Sequence, residues 1–119
     1  MPPLSSLVKF RVVVSTCGHA SFPYNLGMPH GHFTHIFVDE AGQGTEPEVL
    51  TAAIKTLVTS STRVVLSGDP KQLGPVIRSS LARQLGLGKS YLERLMDLPL
   101  YRSAHTGRGR SYVDTPLLL

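Results

Sequence analysis

Three short runs of β-branched and aromatic residues punctuate the chain: Phe10 to Ser15, Thr34 to Val38 and Arg63 to Leu66, each followed by a polar or Gly-containing loop. Their apolar character is continuous rather than alternating. That predicts strands covered on both faces, the habit of a parallel sheet. Between the second and third runs the period becomes helical. Thr45 stands at the N-cap, Pro47 in the first turn and Glu48 three residues on, a capping-box pattern. Val49, Leu50, Ala53, Ile54, Leu57 and Val58 then form one apolar stripe. Residues 76–97 read as further helix, with Leu81, Leu85, Leu92, Leu95 and Met96 as packing positions and Gly86 and Gly88 as interruptions. From Leu98 the pattern fails, and Ser103 to Arg110 reads as a flexible basic loop.

Strand, helix, strand in that order predicts a right-handed βαβ crossover, so both strands end on one edge of an α/β sheet. Ligands of open α/β folds bind at that edge. The residues placed there are Asp39-Glu40-Ala41-Gly42-Gln43 after the second run and Gly68-Asp69-Pro70-Lys71-Gln72-Leu73 after the third. A carboxylate ending a buried strand is costly unless it is paired or bound to a cation. Mg²⁺ keeps most of its waters and needs one or two carboxylates plus phosphate oxygens, which suits Asp39. Glu40 is then placed to orient or deprotonate an attacking water. Alone, Asp39-Glu40 reads more simply as an acidic strand-to-loop junction, and the second motif changes that. Gly68 lets the backbone approach a ligand, Asp69 adds a polar link, and Gln72 offers an amide that senses a γ-phosphate without titrating. A plain turn needs the Gly and the Pro but not Gln72.

Composition sets the frame. At 119 residues with 41% hydrophobic content the chain corresponds to one small folded domain. Its organisation reads as an irregular segment at 1–10, a folded body at 11–97 and a loosely structured segment at 98–119. The formal net charge of +4 is compatible with a polyanionic partner. No stretch reaches the length of a membrane span, and Met1 to Val8 lacks the basic start and apolar run of a signal peptide, so a cytosolic or nuclear setting is expected. Cys17 is the sole cysteine, which excludes an intrachain disulfide and a Cys-based zinc site; it reads as a small buried apolar side chain. His30, His32 and His35 read as loop and core residues rather than metal ligands.

Asp-Glu-Ala-x-Gln followed thirty residues later by Gly-Asp-x-x-Gln-Leu, each after an apolar run, resembles motifs II and III of superfamily one helicases. The likeness narrows through Gly31 to Gln43, Glu46-Pro47-Glu48, Gly68 to Ile77 and Leu92 to Met96. These segments are similar to the Moloney-virus-ten/Armitage RNA helicases of RNA silencing, within the nonsense-decay-helicase group. The resemblance runs from about Arg11 to Tyr101. It implies a partial RecA-like P-loop NTPase domain at 11–97, a parallel sheet with flanking helices that carries the Walker B segment and motif III and lacks the Walker A strand and loop. It also implies ATP and Mg²⁺ as cofactors, single-stranded RNA as partner, and 5′ to 3′ movement. Argonaute or Piwi silencing complexes in the cytoplasm or its ribonucleoprotein granules are the implied setting. Residue by residue, Asp39 matches the Mg²⁺-binding acid, Glu40 the hydrolytic base and Gln72 the γ-phosphate sensor. Gln43 and Asp69 match residues that couple the nucleotide pocket to the rest. Ser15-Thr16-Cys17 resembles a strand-end segment near RNA, leaving Thr16 either a phosphate contact or a strand-end hydrogen bond.

Two departures matter. The phosphate loop, Gly-x-x-x-x-Gly-Lys-Ser/Thr, does not occur in these 119 residues. Gly88-Lys89-Ser90 imitates its tail, but the first glycine position is Arg83 and the segment follows the acidic motifs, so a break between helices is the better account. The arginines of a second RecA-like domain are absent too, and the basic stretch from Arg102 to Arg110 reads as solvated loop. Phosphoryl transfer depends on positioning and charge stabilisation, so the isolated chain is expected to hydrolyse little or no ATP. An uncovered sheet edge and face should make it marginal in stability. Two alternatives stand beside this reading: a non-enzymatic truncated module that binds RNA or silencing proteins, and a DNA or dual helicase of the same group.

Overall fold

In the computed structural model of the chain, which describes residues 2–50 and 58–102, two strands pair in parallel: β1, His35–Val38, and β2, Arg63–Leu66. His35 lies opposite Arg63 and Val38 opposite Leu66, so the strands start and end level. Hydrogen bonds outside the ladder fix this register at both ends. At the start, the Arg63 amide donates to the Thr34 carbonyl at 2.9 Å and the Thr62 hydroxyl to the Phe33 carbonyl at 3.4 Å. At the finish, the Ser67 amide donates to the Val38 carbonyl at 2.9 Å and the Ala41 amide to the Ser67 carbonyl at 2.8 Å. A one-residue slip would break all four.

Short helices surround the pair. Leu4–Leu7 (α1), a 3-10 turn at Cys17–His19 and Phe22–Asn25 (α2) precede it; Ser80–Gln84 (α3), Tyr91–Met96 (α4) and Pro99–Arg102 (α5) follow it. Within the segment expected to be irregular, α1 is one helical turn with Leu7 buried. The Ser79 hydroxyl accepts from the Ala82 amide at 3.2 Å to cap α3, and Gly86 ends it in a Schellman turn, with amides of Gly86 and Leu87 on the carbonyls of Arg83 and Ala82. The interruption expected between the helices is therefore a stop followed by a fresh start, since the Ser90 hydroxyl caps α4 by accepting from the Glu93 amide at 3.1 Å.

Residues 46–50 are helical. The capping box that opens them is formed: Thr45 donates from its amide and its hydroxyl to Glu48 Oε2 at 2.9 and 2.8 Å, and the Glu48 amide reaches back to Thr45 Oγ1 at 3.4 Å. Ala53, Ile54 and Leu57 of the expected stripe lie outside the described residues, as do residues 103–119. Val49 is fully buried, a placement worth about 1.5–3 kcal/mol over exposure. With Val38, Ala41, Val58 and Tyr91 it forms the core, against which Cys17, Ile36, Val64, Leu66, Leu92 and Leu95 pack. Cys17 packs against the core as expected but is half-buried rather than buried. α4 is tied to the helical segment at 46–50 through Tyr91, whose amide bonds the Gly44 carbonyl at 3.3 Å, and through the Arg94–Glu46 ion pair at 2.6 Å. Burial pushes the Tyr91 phenol above its ordinary range against the opposing pull of Arg94; Glu46 and Tyr101 add to the rise.

Three expectations need correction. Phe10 to Ser15 is not a strand; Val12 and Val14 are 78% and 90% exposed. An apolar run becomes a strand only where a neighbour takes its hydrogen bonds, and among the described residues none runs beside it. Among the described residues the sheet is also covered on one face, not two. Ile36, Val38, Val64 and Leu66 face the core, whereas Phe37 is 72% exposed with the His35 ring stacked on it, because no described element packs on that side. Finally, Leu81 and Leu85 are exposed on α3 rather than packed.

Candidate functional site

Level strand ends bring the two acidic motifs together. Ser67 stands beside Asp39 in the extended register, and its hydroxyl donates to Asp39 Oδ1 at 2.8 Å. Oδ2 has no hydrogen-bond partner among the described residues. Asp39 and Glu40 are exposed, so the burial cost expected of a strand-end carboxylate does not arise.

Glu40 is the described non-glycine residue with positive φ, at 53°. A left-handed glutamate is a local strain of order 1–3 kcal/mol, and the turn it makes is closed by the Gln43 amide on the Glu40 carbonyl at 2.9 Å. The Gln43 side chain donates to Glu40 Oε2 at 3.3 Å. The chain therefore turns sharply at Glu40 and holds that side chain with Gln43.

Glycines let the motifs meet backbone to backbone. A Cβ on Gly42 would sit 2.8 Å from the Asp69 carbonyl oxygen, and one on Gly68 would sit 3.0 Å from the Ala41 nitrogen and 3.2 Å from the Gly42 nitrogen. Gly68 also has φ 142°, a conformation that side-chain-bearing residues rarely adopt. Beyond it Asp69 builds its own turn: Oδ1 accepts from the Lys71 amide at 2.9 Å, the Asp69 carbonyl accepts from the Gln72 amide at 3.2 Å, and the Gln72 side chain donates to Oδ2 at 3.5 Å. The structure thus joins Asp39 to Ser67, Glu40 to Gln43 and Asp69 to Gln72, with Gly42 and Gly68 locking the pairs side by side.

Thr16 is not among them. It precedes the 3-10 turn rather than ending a strand, and shares a 2.8 Å hydrogen bond with His19 Nδ1. Sequence reasoning passed over Ser67, although aligning the ends of the two apolar runs would have set its hydroxyl opposite Asp39.

The Asp39 carboxylate fits a hydrated divalent cation in its donor chemistry: one hard oxygen without a partner among the described residues, beside a second acid at Glu40. Among the described residues no group of three or more His, Cys, Asp or Glu side chains could hold a metal by itself. His30 packs on Tyr24 and His32 on Phe33, while His35, read as a core residue, is exposed at the start of β1. Gly88-Lys89-Ser90 is no phosphate cradle, since the Ser90 hydroxyl caps α4 and the Lys89 ammonium pairs with Asp97. A shallow cleft of about 630 Å³ lies elsewhere, lined by residues that include Glu46, Leu50, Leu85, Lys89 and Arg94. Its charged side chains are already paired and neither motif lines it, so the chemistry is read from the strand ends. No helix among the described residues is long and apolar enough to cross a membrane.

A parallel strand pair ending in these two motifs, with helices alongside, is part of an α/β, RecA-like fold of the P-loop nucleotide hydrolase class. Residues 5–80 match the family model described as AAA domain, and the chain belongs to that family. Within it the chain falls in the Mov10/Armitage group of helicases. It is 46% identical over 111 residues to RNA helicase Mov10l1 of Homo sapiens, covering 93% of this chain and 9% of that protein. The Mus musculus protein of the same name is 45% identical over 111 residues, with the same coverage. The probable RNA helicase armi of Drosophila melanogaster is 45% identical over 92 residues, 77% of this chain and 8% of that protein. The chain spans less than a tenth of the length of these relatives.

Proposed function

We propose that this chain is the motif II and motif III portion of an ATP-dependent RNA helicase. The observation that supports it best is the hydrogen-bonded juxtaposition of Asp39 with the Ser67-Gly68-Asp69 segment at the level ends of two parallel strands. In this reading Asp39 is the residue that would hold a hydrated Mg²⁺, which would supply charge neutralisation for the phosphates of ATP. Glu40 takes a proton from the attacking water. Its left-handed backbone and its bond from Gln43 fix where that carboxylate stands. Gln72 senses the γ-phosphate with its amide, and Asp69 and Gln43 pass the state of that residue to the strand ends. Thr16, with an exposed hydroxyl, contacts the RNA backbone. The working partner is single-stranded RNA followed 5′ to 3′, in cytoplasmic silencing complexes of the Argonaute or Piwi kind.

The 119 residues contain no phosphate loop, so the β- and γ-phosphates have no main-chain cradle and no lysine. The chain alone is inactive in this reading. The test compares ATP hydrolysis by the chain, with Mg²⁺ and single-stranded RNA, against a longer form that includes a phosphate loop and a second RecA-like domain. RNA-stimulated hydrolysis confined to the longer form is expected. Hydrolysis by the 119-residue chain, abolished by Glu40→Gln, would overturn the proposed dependence on a distant phosphate loop.

A further inference from the structure

Ser67 bonds Asp39 itself and two residues close to it, Val38 and Ala41. Its amide bonds the Val38 carbonyl at 2.9 Å, its carbonyl takes the Ala41 amide at 2.8 Å, and its hydroxyl donates to Asp39 Oδ1 at 2.8 Å, with the Val38 carbonyl oxygen a second acceptor at 3.4 Å. The main-chain bonds would be made by any residue at this position. The hydroxyl bond is specific to a side chain with a short donor. An exposed aspartate samples several side-chain orientations, and a neutral donor on one oxygen selects among them without cancelling the negative charge.

We propose that Ser67 is a positioning residue for the divalent cation. It pins Asp39 Oδ1, and so presents Oδ2 in one place to a hydrated Mg²⁺ arriving with nucleotide. Ser67 is also the residue immediately before Gly68 and Asp69, so the motif that carries Gln72 begins at the side chain that orients Asp39. A displacement of the Gln72 turn is then felt at the cation through one residue and one hydroxyl. This inference rests on the reading of Asp39 as the Mg²⁺-binding acid.

The experiment uses the full-length helicase and follows equilibrium binding of a fluorescent ATP analogue as Mg²⁺ is titrated, with nucleotide binding in EDTA as the reference. Ser67→Ala keeps the backbone bonds and should raise the half-saturating Mg²⁺ concentration roughly three- to tenfold, the size expected for losing one exposed hydrogen bond of ordinary net strength. Binding in EDTA and the melting temperature should stay as in the parent. Ser67→Thr keeps the hydroxyl and should restore the parent Mg²⁺ dependence. Asp39→Asn distinguishes the two levels of the argument. If Asp39→Asn shifts the Mg²⁺ requirement and Ser67→Ala does not, or if Ser67→Thr is as impaired as Ser67→Ala, the role of Ser67 is overturned while the reading of Asp39 stands. If Asp39→Asn leaves the requirement unchanged, both fall.

Discussion

Replacing Gly68 by alanine imposes two costs at one position. At φ 142° an L side chain is strained whatever space surrounds it, at about 1–3 kcal/mol. The new Cβ also arrives 3.0 Å from the Ala41 nitrogen and 3.2 Å from the Gly42 nitrogen. Those are backbone atoms of the opposing motif, and overpacking of this kind adds about 1–3 kcal/mol. Gly27→Ala isolates the first cost, since its φ is 83° and nothing lies within 4 Å of the added carbon. Gly42→Ala isolates the second, with a 2.8 Å approach to the Asp69 carbonyl and no positive φ. For a chain of this length each kcal/mol lowers the melting temperature by about 4 °C. Gly68→Ala should therefore melt about 8–24 °C below the parent, and Gly27→Ala and Gly42→Ala each about 4–12 °C below it. Thermal unfolding followed by circular dichroism, with urea unfolding as a check, reads all three. Equal losses in Gly68→Ala and Gly27→Ala, or a neutral Gly42→Ala, would refute the backbone contact between the two motifs.

Thr45→Ala removes the two hydroxyl bonds of the capping box, leaving the main-chain amide on Glu48, and should cost about 1 kcal/mol in urea unfolding; a neutral result would mean the helix is held by tertiary packing alone. Tyr91, with its phenol raised by burial, makes a pH prediction. The folded state holds that proton more tightly than the unfolded chain does, so its stabilising contribution is complete below the ordinary tyrosine range near pH 10 and is lost as pH rises through the higher folded value. Tyr91→Phe should flatten the fall in stability above about pH 10, and an unchanged slope there would contradict the burial. In the full-length helicase Gln72→Ala should leave ATP binding intact while RNA no longer stimulates hydrolysis. Retained stimulation would remove Gln72 from the coupling role.

Features set by short-range chemistry were legible in the sequence. The Thr45 and Glu48 box needs only four residues, and the break between helices at Gly86 and Gly88 was readable from the glycines alone. β1 and β2 were legible because each ends in a motif and each finds its partner in the other. Phe10 to Ser15 has equal strand character in its residues, yet strand formation is a property of a pair, and none of its own residues can supply the neighbour. Leu81 and Leu85 failed in the same way, since helical spacing states which residues share a face and not whether anything lies against it. At the site, residue types exposed Asp39, Glu40 and Gln72 to view. The tie from Ser67 was hidden because a serine carries no chemical signal until the parallel register sets it opposite Asp39.

The Asp39–Ser67 bond spans 28 residues of sequence, and that separation has a temporal meaning. A nascent chain emerges at about 5–20 residues per second, so Asp39 waits about 1–6 s before Ser67 exists to meet it. During that interval β1 lacks its partner among the described residues, with Phe37 exposed and the amides and carbonyls that β2 will take still open to another strand. Closing the crossover is an entropic step that no local contact hastens. Slow translation between codons 39 and 67 should therefore lengthen the life of an adhesive intermediate, and rapid translation there should favour soluble protein.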